Sequence, residues 1–373
     1  MNTIQLLQKL VAIPSYIGDN NPAFETTASK FLLRYIKENL PQYSVTHIPF
    51  EGKRENLLIQ NSPQIKILFA CHIDTVPPSS ATAFDMKIDG DKAHGLGTKD
   101  MKGGVVSTLK ALEDNTNQGI GVLFYGDEET TFKGINAVTA RCKKLFPTTP
   151  SIIVSPESRF NLGVGARGII VLRLAVTGTR AHSARPHLGA DATKALFNCV
   201  TSVENHANLV ASPLGKTTIN IAHIHGGLKQ SDDTIGYHVG TVPDYCTAII
   251  SFRNARTEYG AQEYIHLLKK VAEKYSVTID ADVVENYPAR STAQSVIETC
   301  TQLIESAGFT PEVADQTMAG YNDVAILAKA LGSPVVNFGP YGEGNHTAEE
   351  WVSVQSIEDT ATVFRSFISH FCK

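Results

Sequence analysis

Three adjacent carboxylates, Asp127, Glu128 and Glu129, follow an apolar run in the stretch GVLFYGDEETT. Like charges repel, and at the end of a buried strand they are only partly solvated, so they need a cation or a shared proton. An isolated acidic triplet is more often a solvated turn. The rest of the sequence has to decide between a turn and a site.

A histidine and a carboxylate lie two residues apart in ACHIDTVPP, at His72 and Asp74. In an extended segment both side chains point to the same side. The carboxylate can then hold one imidazole nitrogen and leave the other free to bind a metal. Taken alone, such a pair is more often chance or a core histidine.

The glycines of HGLGTKDMKGG suggest a dinucleotide loop, but the GxGxxG pattern fails because Asp100 stands at the third glycine. The stretch instead delivers one carboxylate just before a helix, where a helix-capping aspartate is a strong alternative. Glu157 in SPES and His346 in GEGNHTAEEW each follow a further apolar run. Two histidines and at least three carboxylates then favour a metal site, with zinc as the best fit and cobalt or manganese as substitutes.

Four apolar runs carry these residues, and helical periodicity separates them, as in MKGGVVSTLKALED. The alternation predicts an α/β fold with a mainly parallel sheet, in which ligands bind beyond the carboxyl ends of the strands. Residues 168–285 differ, because their pattern reads β-α-β-β-α-β, the split ferredoxin-like motif. We therefore expect a first domain built from residues 1–167 and 286–373, with an inserted domain between them.

Composition excludes several classes of function. The chain has 373 residues and a formal net charge of -4, which gives no reason to expect nucleic acid or an anionic membrane as partner. It has no uninterrupted apolar run of the roughly 18 residues that a membrane-spanning helix requires. Its six scattered cysteines form no CxxC pair, which suits a reduced cytoplasmic protein better than a disulfide framework.

In this order, the motifs HIDTVPP, GLGTKDMKGG, GDEE, RAHSARPHLGADA and GEGNHTAEEW resemble those of a known family. It is the family of dinuclear zinc amidohydrolases that includes acetylornithine deacetylase, succinyl-diaminopimelate desuccinylase, aminoacylase and the glutamate carboxypeptidases. The resemblance covers nearly the whole chain. It implies a zinc-peptidase-like catalytic domain and an inserted ferredoxin-like domain that serves as a lid and for dimerisation.

The resemblance also implies two Zn²⁺ ions per subunit and a role for each matched residue. His72 and Glu157 would bind one ion. Glu129 and His346 would bind the other, and Asp100 would bridge the two.

Two further carboxylates receive roles from the same resemblance. Asp74 would orient His72, and Glu128 would be the catalytic base that takes a proton from a water held between the cations. The hydroxide so formed would attack an amide carbonyl. Asp127 has no matched role, and we expect it to be solvated or to support the ligands from behind.

Three residues would act on the substrate. His182 matches a histidine that the inserted domain presents to the oxyanion, usually from the partner subunit, so a homodimer is expected. Arg253 matches an arginine that often faces a substrate carboxylate. Asn322 lies in MAGYNDVA, which loosely matches a substrate-facing loop. An exposed loop histidine, a surface arginine and a helix cap by Asn322 or Asp323 are the respective alternatives.

The sequence departs from the family pattern at two places. Gly240 stands where the family has a substrate-contacting asparagine, and Tyr237 or His238 could replace it. At Glu157, the usual Glu-Pro-Thr becomes Glu-Ser-Arg, with a proline before the glutamate.

The function that follows is metal-dependent hydrolysis of the amide bond of an N-acyl amino acid. A di- or tripeptidase or a carboxypeptidase of the same family is the alternative, because the metal chemistry is shared and only the pocket differs. A non-catalytic binding protein would show broken metal sites, whereas every matched ligand type is present here.

Overall fold

The computed structural model describes residues 1–18, 20–80, 82–232 and 234–373. They form two compact units. The first comprises Met1–Val164, Thr292–Asp315 and Asp323–Lys373, and the second comprises Gly165–Ser291 and Gln316–Asn322. The short segment Gln316–Asn322, which the sequence-based division leaves in the first domain, thus groups with the second unit.

Most of the longer helices bury one face, α3 is buried along its whole length, and several helices begin at a clear cap. In α1, for example, the Asn2 side chain accepts a hydrogen bond from the Gln5 N–H at 2.9 Å, and the Gln5 side chain accepts one from the Asn2 N–H at 3.2 Å. Among the described residues, none of the helices is both long enough and apolar enough to span a membrane. The helices are α1 (Thr3–Val11), α2 (Thr26–Asn39), α3 (Gly103–Leu112), α4 (Lys133–Thr139), α5 (Cys142–Leu145), α6 (Ala192–Ala207), α7 (Ala261–Ala272), α8 (Gln294–Ser306), α9 (Val324–Leu331) and α10 (Val354–Phe371).

The strands are mostly short. They are β1 (Ser44–Glu51), β2 (Arg54–Gln60), β3 (Ile67–His72), β4 (Lys87–Asp89), β5 (Lys92–His94), β6 (Ile120–Tyr125), β7 (Ile152–Ser155), β8 (Gly165–Ala166), β9 (Gly168–Thr177), β10 (Thr218–Lys229), β11 (Ile235–Gly236), β12 (Tyr245–Asn254), β13 (Thr278–Tyr287), β14 (Arg290–Ser291), β15 (Val335–Asn337), β16 (Gly342–Glu343) and β17 (Trp351–Ser353).

The central sheet of the first unit has the strand order β1-β2-β6-β3-β7-β15. Strands β6, β3, β7 and β15 pair in parallel, and β1 and β2 add an antiparallel edge. Every residue of β3, β6 and β7 is buried, as expected for a sheet covered on both faces. The four apolar runs that the sequence identifies are these four parallel strands, so the predicted α/β fold with a mainly parallel sheet is confirmed.

Helix α3 packs closely against the turn that follows β7. A Cβ atom at Gly104 would lie 1.9 Å from the Pro156 carbonyl oxygen, so no larger residue fits without moving the backbone. The second of the paired glycines in MKGGVV therefore lets the start of α3 approach the SPES turn. This brings the loop before α3 and the turn after β7 to one edge of the sheet.

The second unit runs β9-α6-β10-β12-α7-β13 along the chain, with the short β11 between β10 and β12. All neighbouring strands of its sheet, ordered β11-β10-β12-β9-β13, are antiparallel. Leu196 of α6 and Leu268 of α7 are fully buried in one core with Leu172, Ile250 and Phe252 of the sheet. Its service as a lid or a dimerisation domain stays a prediction.

Candidate metal centre

His72 is the last residue of β3, and its side chain is only 2% exposed. Its Nε2 atom lies 3.0 Å from Asp100 Oδ1 and 4.0 Å from Glu157 Oε2. Its Nδ1 atom lies 3.2 Å from the Asp74 backbone oxygen and 3.7 Å from the Asp74 carboxylate. One ring nitrogen therefore faces two acids while Asp74 engages the other.

The Asp74 carboxylate also contacts the acidic turn that follows β6. Its Oδ2 atom accepts a hydrogen bond from the Glu129 N–H at 3.0 Å, and the residue is 1% exposed. Asp74 therefore ties the His72 end of one strand to the Glu129 turn of its neighbour.

We expect Asp74→Ala to lower divalent-metal affinity by roughly 10- to 100-fold. The variant removes the carboxylate that lies 3.7 Å from His72 Nδ1 and accepts from the Glu129 N–H, and it leaves only the backbone oxygen against His72. Isothermal titration with Zn²⁺ would measure the loss. Asp89→Ala, in the exposed strand β4, is the matched control and should bind as the wild type does. Equal affinities for the two variants would contradict the orienting role of Asp74.

Asp100 faces two imidazoles with its two oxygens. It lies in the irregular turn Thr98–Lys102, and its peptide bond to Met101 is cis. Its Oδ1 atom faces His72, and its Oδ2 atom lies 3.3 Å from His346 Nε2. Asn345 Nδ2 donates a hydrogen bond to the same Oδ2 at 2.9 Å. This is the arrangement that a carboxylate bridging two cations requires.

The remaining acids approach from two other strand ends. Glu129 Oε2, beyond β6, lies 3.2 Å from His346 Nε2. Glu157, beyond β7, accepts a hydrogen bond at its Oε1 from Asn337 Nδ2 at 3.1 Å. His346 has a backbone φ of 64°, so the loop turns sharply at this residue.

The candidate ligand atoms form three groups in which all atoms lie within 4.8 Å of one another. The groups are His72/Asp100/Glu157, His72/Glu128/Glu129 and Asp100/Glu129/His346. The first and third groups share Asp100 and together contain two imidazoles and three carboxylates. Such mixed nitrogen and oxygen donors fit two divalent cations of the zinc, cobalt or manganese type.

The electrostatics fit the same conclusion. Burial raises the pKa of Glu157, and the charge of Asp100 raises it further. Burial, followed by the neighbouring Asp323, raises the pKa of Glu128 well above its usual range. For Asp100 burial acts in the same direction, but hydrogen bonds from His346 and His72 hold its pKa below the usual value. A cation offsets the repulsion among acids packed this closely.

Of the two alternatives expected for Asp127, a solvated carboxylate is wrong, which leaves a supporting position behind the candidate ligands. It is 1% exposed, and its Oδ1 atom accepts hydrogen bonds from Arg54 Nη2 at 2.9 Å and from Thr130 Oγ1 at 3.0 Å. Its Oδ2 atom accepts from the Thr131 hydroxyl and from the Lys133 N–H at 2.9 Å. Asp127 therefore shapes the turn that presents the other two acids.

Arg54 connects Asp127 to a larger buried network. Its guanidinium donates to both oxygens of Glu25, at 2.8 and 3.1 Å, and to Glu51 at 2.8 Å. The same group lies over the rings of Phe24 and Phe50, 5.1 and 4.7 Å from their centroids. One arginine thus serves three carboxylates next to the candidate metal centre.

Asp323 and Tyr125 form a further buried pair beside the acids. The Tyr125 hydroxyl donates to Asp323 Oδ1 at 2.7 Å, and burial raises the pKa of Asp323 to about 7. Asp323 precedes α9 but makes no side-chain cap there, so the helix-cap alternative for this residue is wrong. Sequence reasoning considered Asp323 only as a cap and gave Tyr125 no role, because Tyr125 looks like any apolar strand residue.

The residues expected to act on substrate belong to the second unit. His182 is exposed and pairs with Thr241 in an isolated bridge, and its Nδ1 accepts a hydrogen bond from the Ala184 N–H at 3.0 Å. Arg253 is exposed near the end of β12. Asn322 is half-buried. Their roles toward a substrate stay predictions.

Of the two departures from the family pattern, the segment around Gly240 lies in the second unit and the one at Glu157 in the first. Tyr237 is 89% exposed. His238 Nδ1 accepts a hydrogen bond from the Gly240 N–H at 3.2 Å and lies 3.0 Å from Thr241 Oγ1. A Cβ at Gly240 would lie 3.2 Å from the His238 ring, so a side chain there would require that ring to shift.

Comparison with known proteins matches residues 68–370 to the profile of peptidase family M20/M25/M40. Succinyl-diaminopimelate desuccinylase of Hydrogenovibrio crunogenus is 26% identical, with 98% of this chain and 97% of that protein covered. The enzyme of the same name from Rhizorhabdus wittichii is 24% identical, over 99% and 97%. The crystal structure of aminopeptidase PepT from Bacillus cereus shares the fold, with a TM-score of 0.70 and 19% identity over 100% of this chain and 98% of that one.

The matched region contains most of the chain and all five candidate ligands of the metal centre. The protein therefore belongs to peptidase family M20/M25/M40 and is a metal-dependent amidohydrolase.

Proposed function

We propose that this protein hydrolyses the amide bond of an N-acyl amino acid, as acetylornithine deacetylase and succinyl-diaminopimelate desuccinylase do. The proposal is carried by the position of Asp100, whose two carboxylate oxygens face His72 and His346. Glu128 lies beside these residues and is not the carboxylate between the two imidazoles. A carboxylate that can bridge two cations, together with a second carboxylate that can act as general base, is what hydrolysis by a metal-activated water requires.

The metals in this proposal are two Zn²⁺ ions, with Co²⁺ or Mn²⁺ as functional substitutes. His72 and Glu157 would hold one ion, Glu129 and His346 the other, and Asp100 both. Two cations at these ligands would make a water more acidic and polarise the substrate carbonyl.

The chain itself supplies the proton transfers and the binding of the substrate. Glu128 accepts a proton from the attacking water and, as the carbon–nitrogen bond breaks, donates it to the departing amine nitrogen. His182 donates a hydrogen bond to the negative charge that develops on the carbonyl oxygen, and Arg253 binds the carboxylate of the amino acid.

The choice of an N-acyl amino acid rests on the two desuccinylases, which resemble this protein along nearly their whole length. A peptidase function is the second candidate, and the shared fold of aminopeptidase PepT favours it. Both reactions use the same centre, so only the substrate distinguishes them.

We also propose a homodimer in a reducing, cytoplasmic compartment. All six cysteines are buried and free, which supports the compartment. Strand β10 pairs with β12 along one side, and on its other side the described residues pair only at Leu228 and Lys229. A long open edge of this kind can pair with the same edge of a second copy. Full activity of a protein that sediments as a monomer would contradict the dimer.

The test of the function is a hydrolysis panel on the Zn²⁺-loaded protein. The substrates are N-acetylornithine, N-succinyl-diaminopimelate, other N-acyl amino acids, dipeptides and tripeptides. We expect fast turnover of one N-acyl amino acid, its complete loss with a chelator, and recovery when Zn²⁺ is added back. Cleavage of peptides alone would move the protein to the peptidase branch, and silence across the panel would contradict the proposal.

A further inference from the structure

Glu350 occupies a position that none of the roles above explains. It lies four residues after His346 and directly before β17, and it is only 1% exposed. Its Oε1 atom accepts hydrogen bonds from the Lys99 N–H at 2.8 Å and the Asp100 N–H at 2.9 Å. Its Oε2 atom accepts one from the Gly97 N–H at 2.9 Å. A single carboxylate thus receives three backbone donors from the turn that carries Asp100.

That turn cannot satisfy these donors by itself. Asp100 and Met101 have non-helical backbone angles, with φ/ψ of -120°/90° and -129°/33°, so a regular helical ladder is interrupted there. Gly97 has a φ of 77°, and a Cβ on it would lie 2.6 Å from the Thr75 side chain. Buried N–H groups without an acceptor are costly, and a concave set of N–H groups is a site for an anion. The Glu350 side chain provides the acceptor oxygens from within the chain.

Two buried lysines lie beside this contact. Lys99 and Lys102 are both buried, and their ammonium groups interact electrostatically with Glu350. Lys102 Nζ also donates to the Ile13 carbonyl oxygen at 3.0 Å, which holds it in place. The backbone oxygen of Glu350 accepts a hydrogen bond from the Gly95 N–H at 3.1 Å. Glu350 is therefore attached to this part of the chain at two points, through its side chain and through its backbone oxygen.

We infer that Glu350 is a positioning residue for the metal centre, which fixes the Asp100 turn to the chain segment that carries His346. Asp100 N–H is one of its three donors, and the Asp100 carboxylate faces both His72 and His346. A small rotation of the turn would move one oxygen of Asp100 away from its imidazole. Glu350 would act through Asp100 and not on the substrate itself. The inference rests on the proposed function only in requiring Asp100 to bind metal.

The test is Glu350→Gln, which keeps the shape of the side chain. It replaces one of the two oxygens that accept from the backbone N–H groups with an amide nitrogen, which cannot accept. We expect affinity for Zn²⁺ to fall by roughly 10- to 100-fold in isothermal titration, as for other groups that orient ligands. In the Co²⁺-loaded protein we expect the visible absorption bands to shift, because the bridging carboxylate is displaced. Glu349→Gln is the matched control, since Glu349 is adjacent and exposed, and it should behave as the wild type.

Far-UV circular dichroism and the urea midpoint of each apo variant show whether the variant is folded. They therefore separate an effect on metal affinity from an effect on folding. If Glu350→Gln does not fold, Glu350→Asp, which keeps the charge but shortens the reach, takes its place in the same titration. A folded variant with wild-type Zn²⁺ affinity and unchanged Co²⁺ bands would overturn the inference, even if its stability fell. A wild-type protein that binds two cations but hydrolyses none of the substrates would contradict the proposed function and leave the inference about Glu350 intact. A wild-type protein that binds no cation would contradict both the proposed function and the inference about Glu350.

Discussion

Glu128→Gln should retain the full complement of bound metal and lose catalytic turnover by a factor on the order of 10² to 10⁴. The amide keeps the size and shape of the side chain but cannot accept the proton of the attacking water. The effect should appear in kcat, because the proton transfer belongs to the chemical step. Metal content by atomic emission, together with kcat on the best substrate of the panel, measures both parts.

The matched control is Glu129→Gln, one residue along the same turn. Glu129 Oε2 lies 3.2 Å from His346 Nε2, so this variant should lose metal as well as activity. Since Glu128 also falls within reach of His72 and Glu129, it is itself a possible ligand on distance alone. Loss of metal from Glu128→Gln would make it a ligand, and full activity would remove it from the mechanism.

Arg54→Met should lower the free energy of unfolding by roughly 3–5 kcal/mol, because it leaves carboxylates buried without their cation. The side chains of Glu25 and Asp127 are 0% and 2% exposed, and both depend on the Arg54 guanidinium. Urea unfolding, with the two-state test applied to each curve, measures the change.

Lys133→Met is the control for Arg54→Met, because Lys133 also bonds Glu51 but is half exposed. Solvent screens an exposed pair of this kind, so this variant should unfold nearly as the wild type does. Adding Glu25→Gln and Asp127→Asn to Arg54→Met should recover part of the loss, since the buried negative charges are then gone. If Arg54→Met lowers the free energy of unfolding no more than Lys133→Met does, the buried network around Arg54 contributes little to stability.

The parallel sheet and the proximity of the candidate ligands could both be predicted from the sequence, because one physical rule covers them. Apolar runs of strand length place their carboxyl ends at one edge, so the residues that follow His72, Tyr125 and Ser155 must lie near one another. The rule needs no side-chain detail, which is why it succeeded.

Roles that depend on a particular partner could not be predicted in the same way. Asp127 differs from Glu128 and Glu129 only by one methylene group, and its burial depends on Arg54, which is 73 residues away along the chain. Glu349 and Glu350 are adjacent and of the same type, yet one is exposed and the other is buried under three N–H groups. Local sequence does not separate such residues, because the distinction arises from contacts made by distant segments.

The hold of Glu350 on the Asp100 turn also bears on the order in which the protein can mature during synthesis. His72, Asp100 and Glu157 all precede the second unit, so one group of candidate ligands leaves the ribosome well before the other is complete. Yet the turn that presents Asp100 obtains its acceptor only when Glu350 has emerged. A nascent chain that ends before that residue therefore holds the first three ligands without the contact that sets them. At the proposed two-cation centre, loading of both cations would therefore wait until Glu350 has emerged and the chain can fold around it.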